Sequence, residues 1–227
     1  MAIRRIASRS SAAAAPRLPR RGGDGPTVVK IGGSCALSLD LRRWAATIAE
    51  CSGRAAIVPG GGSFAESVRV AQPQMRFDDL AAHHMALLGM EQFGRALASF
   101  DRRLTPADSM AGLRRALRER KVPVWMPARM VMRAAGIPAS WKVTSDSLAA
   151  WLAEKLRASR LLLLKQVELS RDPIAVRELV RRGIVDEAFA RFLRASRVPA
   201  FILGPADHMA VPAALCHDRP GTPIVIR

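Results

Sequence analysis

Residues 27–34, TVVKIGGS, constrain this chain more than any other segment. Val28, Val29 and Ile31 are β-branched and favour an extended strand. Gly32 and Gly33 remove the side chains where that strand should end, so the backbone there can come close to a ligand. Lys30 sets a mobile cation beside the bare backbone, an arrangement suited to holding phosphate. In a Walker P-loop the lysine follows the glycines and opens a helix. Here it precedes them, inside the strand.

Downstream, helix and strand patterns alternate. Ser38 is placed to cap a helix running to about Cys51. Residues 55–58 form a short apolar strand that runs into Pro59-Gly60-Gly61-Gly62, where Ser63 and Glu66 match a capping box. Residues 77–100 predict a long helix with a break near Gly89 or Gly94. Thr105-Pro106-Ala107-Asp108 predicts a helix start with proline at the first helical position. Residues 122–126 predict a strand, 144–157 a helix and 161–164 a buried strand. Asp172-Pro173 predicts a helix stopped by Gly183, and Asp186 starts another. Strands at 201–203 and 224–226 close the pattern. Such alternation argues for an α/β chain with a mostly parallel sheet covered by helices on both faces. Ligands in these sheets bind at the carboxyl ends of strands.

With 227 residues, 49% of them hydrophobic, the chain can bury one sizeable core. No apolar run approaches the roughly 18–20 residues of a membrane span. Cys35, Cys51 and Cys216 show no metal-ligand spacing, and their odd number argues against a disulfide framework. A reducing, cytoplasmic compartment is expected. Residues 1–26 are rich in Ala, Arg and Ser with Asp24 as their only acid, a basic leader read as a disordered tail or start-site artefact ahead of a transit peptide. One domain is expected from residue 27 to 227. The net charge of +17 invites a nucleic-acid partner, but six arginines of the excess sit in the leader. The rest is scattered along helices without an aromatic RNA-binding motif. A small anionic substrate suits this basic surface better.

Four segments carry the chemistry. The first is Lys30-Ile31-Gly32-Gly33-Ser34. The second is Gly60-Gly61-Gly62-Ser63, whose glycines lead into a helix start that favours an anion. The third, Thr144-Ser145-Asp146-Ser147, puts a carboxylate in the first turn of a helix. The fourth is the strand ending at Lys165. Only five of the 36 basic residues are lysines, yet Lys30 and Lys165 both fall at strand ends. Paired ammonium groups can neutralise charge that shifts during phosphoryl transfer, and Asp146 is placed to hold them. Each piece alone has an ordinary structural role as turn, helix-terminal acid or solvated strand end. The order and spacing together are more specific.

Together these segments resemble the amino acid kinase family, in the K-x-G-G-S strand, the P-G-G-G loop, the [ST]-x-D-x-x-A helix start and the closing Gly221-Thr222-Pro223-Ile224. The resemblance covers residues 27–227. It implies a three-layer αβα sandwich around about eight strands, and transfer of the ATP γ-phosphoryl group, usually with Mg2+. It implies that Lys30 contacts the transferring group, that Gly32, Gly33, Gly61 and Gly62 line the phosphate and substrate loops, and that Asp146 organises the lysines. It also implies a homo-oligomer, dimer or hexamer. Two departures stand out. Many relatives have Thr-Asp or Ser-Asp where Lys165-Gln166-Val167-Glu168 stands, and many carry a later lysine in Gly-Met-x-x-Lys, whereas no lysine follows Lys165 here. Lys165, or an arginine such as Arg171, is expected to supply the second cation.

Residues 141–153 (WKVTSDSLAAWLA) and 82–92 (AHHMALLGMEQ) narrow the resemblance to the subgroup that makes methanofuran and methylofuran cofactors. The resemblance implies conversion of a furan-bearing phosphomonoester to its diphosphate for one-carbon metabolism, the reaction of the subgroup's archaeal member. His83 and His84 point about 100° apart on a helix, so one of them at most is expected on the substrate head group. Lys142 is placed to reach an anionic substrate or simply to face solvent. Trp141 and Trp151 are expected to pack. The alternatives are a carboxylate, nucleotide or isoprenoid phosphate acceptor, a non-catalytic nucleotide-binding subunit, and nucleic-acid binding with a steep salt dependence.

Overall fold

The computed structural model describes residues 25–210 and 220–226. Cys216 and residues 1–24 of the leader lie outside the described residues. Eight strands, β1 (Gly25–Ile31), β2 (Ala55–Pro59), β3 (Leu104–Ala107), β4 (Val122–Trp125), β5 (Ala158–Leu164), β6 (Ile174–Ala175), β7 (Ala200–Leu203) and β8 (Thr222–Val225), form one sheet. Their order is β3-β4-β2-β1-β5-β7-β8-β6. All pairs are parallel except β7 with β8. The helices are α1 (Leu41–Ala49), α2 (Gly62–Met75), α3 (Asp79–Ala98), α4 (Met110–Arg118), α5 (Ala128–Val131), α6 (Ser145–Leu156), α7 (Val176–Arg181) and α8 (Phe189–Ser196). Among the described residues no helix is long and apolar enough to cross a membrane.

The central strands are buried on both faces, and their side chains alternate between two cores. Val29, Ile31, Ile57, Leu162 and Leu164 pack toward α1, with Trp44 and Ile48. Val28, Val58, Leu161 and Leu163 pack toward α6 and α8, with Leu148, Leu152 and Phe189. This period of two places the site. Lys30 shares the Val28 face, and Lys165 continues the Leu161–Leu163 face. Lys30 pairs with Leu163 across β1 and β5, so the two lysines emerge on neighbouring strands toward the start of α6.

Several expected boundaries differ. Thr105 and Pro106 lie in β3, not a helix; β3 is a sheet edge, where a proline's missing N–H leaves no ladder bond open. α4 starts later, where Ser109 caps it by accepting from Gly112 N. Pro173 likewise precedes the edge strand β6, and the helix waits until Val176. The Ser63–Glu66 capping box does not form, because α2 already begins at Gly62 and Ser63 lies inside its first turn. Ser38 bonds Asp40 N rather than capping α1, which begins at Leu41. α3 runs unbroken through Gly89 and Gly94. A Cβ on Gly89 would stand 2.9 Å from Ala65 N, so that glycine serves the close approach of α2 and α3.

Candidate active site

The carboxyl ends of β1 and β5 and the first turn of α6 converge on one buried cluster. Lys30 Nζ lies 2.7 Å from Asp146 Oδ1, and Lys165 Nζ donates to Asp146 Oδ2 at 2.8 Å. One carboxylate therefore bridges two ammonium groups, and the cluster carries one net positive charge. Lys30 and Asp146 are only 3% and 4% exposed. Burial pushes the Asp146 carboxyl up, but the charges of Lys30 and Lys165 outweigh it and hold it below the ordinary value. Burial and the Lys30 charge bring Lys165 down to about 8 against the pull of Asp146. Arg171 is elsewhere, paired with Asp207 at 2.5 Å on the surface. Of the two candidates for the second cation, only Lys165 reaches Asp146.

The glycine loops lie against each other above this cluster. Gly60 N donates to Ile31 O at 2.8 Å, and Gly32 N to Leu164 O at 3.3 Å. A Cβ on Gly33 would stand 2.5 Å from Gly62 N, so no side chain fits between the loops. A Cβ on Gly32 would stand 3.6 Å from Lys30 Nζ, which puts the bare backbone directly over the ammonium. Gly62 has φ +54°, the left-handed conformation that glycine adopts without cost. Gly60 is buried beneath the contact, whereas Gly33, Ser34, Gly61 and Gly62 face a cavity.

That cavity, about 470 Å³, opens from the loops between α2, α3 and the start of α6. α3 lines it with one stripe, Asp79, Ala82, His83, Ala86, Leu87 and Met90, at the spacing of a single helix face. Ser145 lines its floor beside Asp146. His83 faces the cavity, and burial together with the His84 charge holds it below its ordinary pKa, hence neutral near pH 7. His84 is exposed and outside the cavity. Lys142 also points away, paired with Glu187 at 3.1 Å on the surface.

Two contributors escape a sequence reading. Asp186, expected only as a helix start, lies ahead of α8 and caps α6 from 42 residues away. Its carboxylate accepts from Thr144 N at 3.1 Å, Thr144 Oγ1 at 2.8 Å, Ser147 N at 3.0 Å and Ser147 Oγ. Burial, with the nearby Asp146 charge, raises its pKa. Trp141, expected to pack, lines the cavity instead, with the Arg69 guanidinium 4.2 Å from its ring centre and its N–H donated to Gln72 at 2.6 Å. Trp151 does pack, stacked on Trp125.

Residues 25–190 match the amino acid kinase family. The chain belongs to that family. Across 190 residues it is 25% identical to the [5-(aminomethyl)furan-3-yl]methyl phosphate kinase of Methanocaldococcus jannaschii, covering 78% of this chain and 86% of the relative. Its fold is similar to that of uridylate kinase from Archaeoglobus fulgidus, with TM-score 0.69, 18% identity and coverage of 88% of this chain and 100% of the other. It is also similar to T. acidophilum isopentenyl phosphate kinase, with TM-score 0.57, 15% identity and coverage of 88% and 100%. This amino acid kinase is a phosphotransferase with an eight-stranded αβα fold.

Proposed function

We propose that this kinase transfers the γ-phosphoryl group of ATP to a phosphomonoester, [5-(aminomethyl)furan-3-yl]methyl phosphate, giving the diphosphate for a furan-bearing one-carbon cofactor. The observation that carries the transfer is the Lys30–Asp146–Lys165 bridge beneath the glycine loops. An acceptor phosphate oxygen attacks Pγ as the bond from Pγ to the β–γ bridging oxygen breaks, and ADP leaves with that electron pair. Both reactants are anionic, so their approach must be offset by fixed positive groups. Lys30 and Lys165 supply these, and Asp146 is the positioning residue that keeps them apart from each other and close to the loops. Gly33, Ser34, Gly61, Gly62 and Ser145 offer backbone N–H and hydroxyl donors to the phosphates, whereas the Gly32 N–H is held by Leu164 O and Gly32 contributes only bare backbone over Lys30. Gly60 acts indirectly, by letting the loops touch.

A phosphomonoester is already ionised near neutral pH, so no general base is required at the acceptor oxygen. Among the described residues no group of three or more His, Cys, Asp or Glu side chains is set to hold a metal. Mg2+ would be carried by the triphosphate, where it would neutralise phosphate charge. The furan acceptor is supported by the archaeal relative and by a cavity that combines loops for phosphate, apolar walls and an aromatic side.

The test is 31P NMR of the protein with ATP, Mg2+ and a panel of acceptors. Diphosphate formation from the aminomethylfuran phosphate, lost in Lys30→Ala, is expected. An acyl phosphate from a carboxylate, or preference for UMP or isopentenyl phosphate, would contradict the acceptor. Nucleotide binding without transfer to any acceptor would contradict the reaction.

A further inference from the structure

We propose that Glu66 selects the acceptor by receiving a cationic arm at its far end, while Trp141, backed by Arg69, walls its planar middle. The inference rests on the phosphomonoester reading above and names the residues that would give it specificity.

The cavity is not uniform. Its inner end is glycine backbone and hydroxyls, and its middle is apolar. Its lining also holds two carboxylates, Glu66 and Asp79, against one cation of fixed charge, Arg69. A purely hydrocarbon acceptor would leave these charges unused, and a second acidic group on the acceptor would meet net repulsion. A cationic arm answers the excess carboxylate.

Helix geometry chooses between the two acids. Glu66 stands four residues into α2 from Gly62, about 6 Å along the axis at a rise of about 1.5 Å per residue. Its side chain leans back toward the loops, as helical side chains do. α3 runs back along α2, with Gly89 against Ala65. Asp79 lies ten residues before that contact, about 15 Å away along α3. A compact acceptor with its phosphate on the glycine loops reaches Glu66 and falls short of Asp79. Asp79 is instead engaged with the wall of the cavity. It accepts from Gln72 Nε2 at 2.9 Å, and Gln72 Oε1 accepts the Trp141 N–H, so Asp79 holds the ring in place.

Glu66 is also free to change partners. Its ion pair with Arg69 is long, 3.5 Å, between side chains 63% and 48% exposed, and such pairs are weak. Arg69 has a second contact besides Glu66, its guanidinium lying 4.2 Å from the Trp141 ring centre. With one face covered by Arg69 and the N–H engaged, the rest of the indole is what Trp141 offers to a planar ligand.

The experiment compares two acceptors with the full-length protein, ATP and Mg2+: the aminomethylfuran phosphate, and the same molecule with methyl in place of aminomethyl. Glu66→Gln is expected to raise KM for the amine-bearing acceptor about tenfold or more and to leave the methyl analogue within about twofold, because only the former loses a charge-assisted bond. Trp141→Leu is expected to raise KM for both about tenfold. Equal shifts of the two acceptors in Glu66→Gln would overturn the assignment, as would no shift, or an amine-dependent shift in Asp79→Asn instead. Failure of the wild-type protein to phosphorylate either acceptor would defeat the acceptor reading itself, and is seen before any variant is made.

Discussion

The buried charges under the glycine loops and the exposed charges at the mouth of the cavity are built on opposite principles. Lys30 and Asp146 are buried and Lys165 is 12% exposed at its side chain; the three are held by strand ends and a helix start and paired at 2.7 and 2.8 Å. Glu66 and Arg69 stand on one helix, half in solvent, 3.5 Å apart. Buried charge is costly to assemble and cannot rearrange, which suits chemistry that is the same in every turnover. Exposed charge is inexpensive and exchangeable, which suits the choice of acceptor. In the proposed reading the same residue types serve transfer or selection according to their solvation.

The sharpest way to break this contrast is to remove the shared carboxylate. Asp146→Ala leaves two ammonium groups buried side by side, and is expected to lower stability by about 3–5 kcal/mol and abolish turnover. Glu66→Ala at the mouth is expected to change stability by less than about 0.5 kcal/mol. Urea denaturation of the two variants checks both, and similar losses would erase the distinction.

Asp186→Ala comes next. It removes the acceptor for four donors at the start of α6, and is expected to cost about 2–3 kcal/mol and to lower kcat more than it raises acceptor KM. Asp186→Asn should restore part of the stability, since it keeps an acceptor oxygen. A loss confined to KM would show that Asp186 does not position Asp146.

The pH dependence separates activity from stability. Lys165 must be charged to act, and its pKa is lowered to about 8, so turnover should fall as pH rises through that value. The Lys165 contribution to stability has the opposite sign. Between about 8 and the ordinary lysine value of 10.5 the unfolded chain binds more protons at this residue than the folded one, so this contribution rises with pH. Rate profiles and urea midpoints across pH 7–10 give the two trends, and Lys165→Arg should move the activity limb upward.

A smaller effect than those of Asp146 and Asp186 is expected far from both regions. Arg197 ends α8 with φ +55°, a left-handed conformation that strains a side chain. Arg197→Gly should raise stability by up to about 1 kcal/mol without changing turnover, as read by the urea midpoint.

The strand-end lysines were legible because each closes an apolar β run; that they share a face was not, since it depends on the register of β1 against β5. The glycine loops were legible for a similar reason, since bare backbone between strand and helix has few uses. Asp186 was hidden because a cap supplied from 42 residues away leaves no local pattern. Trp141 was hidden because a loop tryptophan packs or lines a cavity according to neighbours, here Arg69 and Gln72, that only the fold brings to it. Pro106 and Pro173 misled because proline suits both a helix start and an edge strand, and only the sheet order decides.

The central claim is that Lys165, from the end of β5, completes the cationic pair that transfers the phosphoryl group. Its direct test is the initial rate of diphosphate formation from ATP and the aminomethylfuran phosphate in Lys165→Ala, at saturating substrates, in protein shown to be folded by circular dichroism. A loss of roughly a hundredfold or more in kcat is predicted, partly restored in Lys165→Arg. Turnover equal to that of the wild-type protein would contradict the claim.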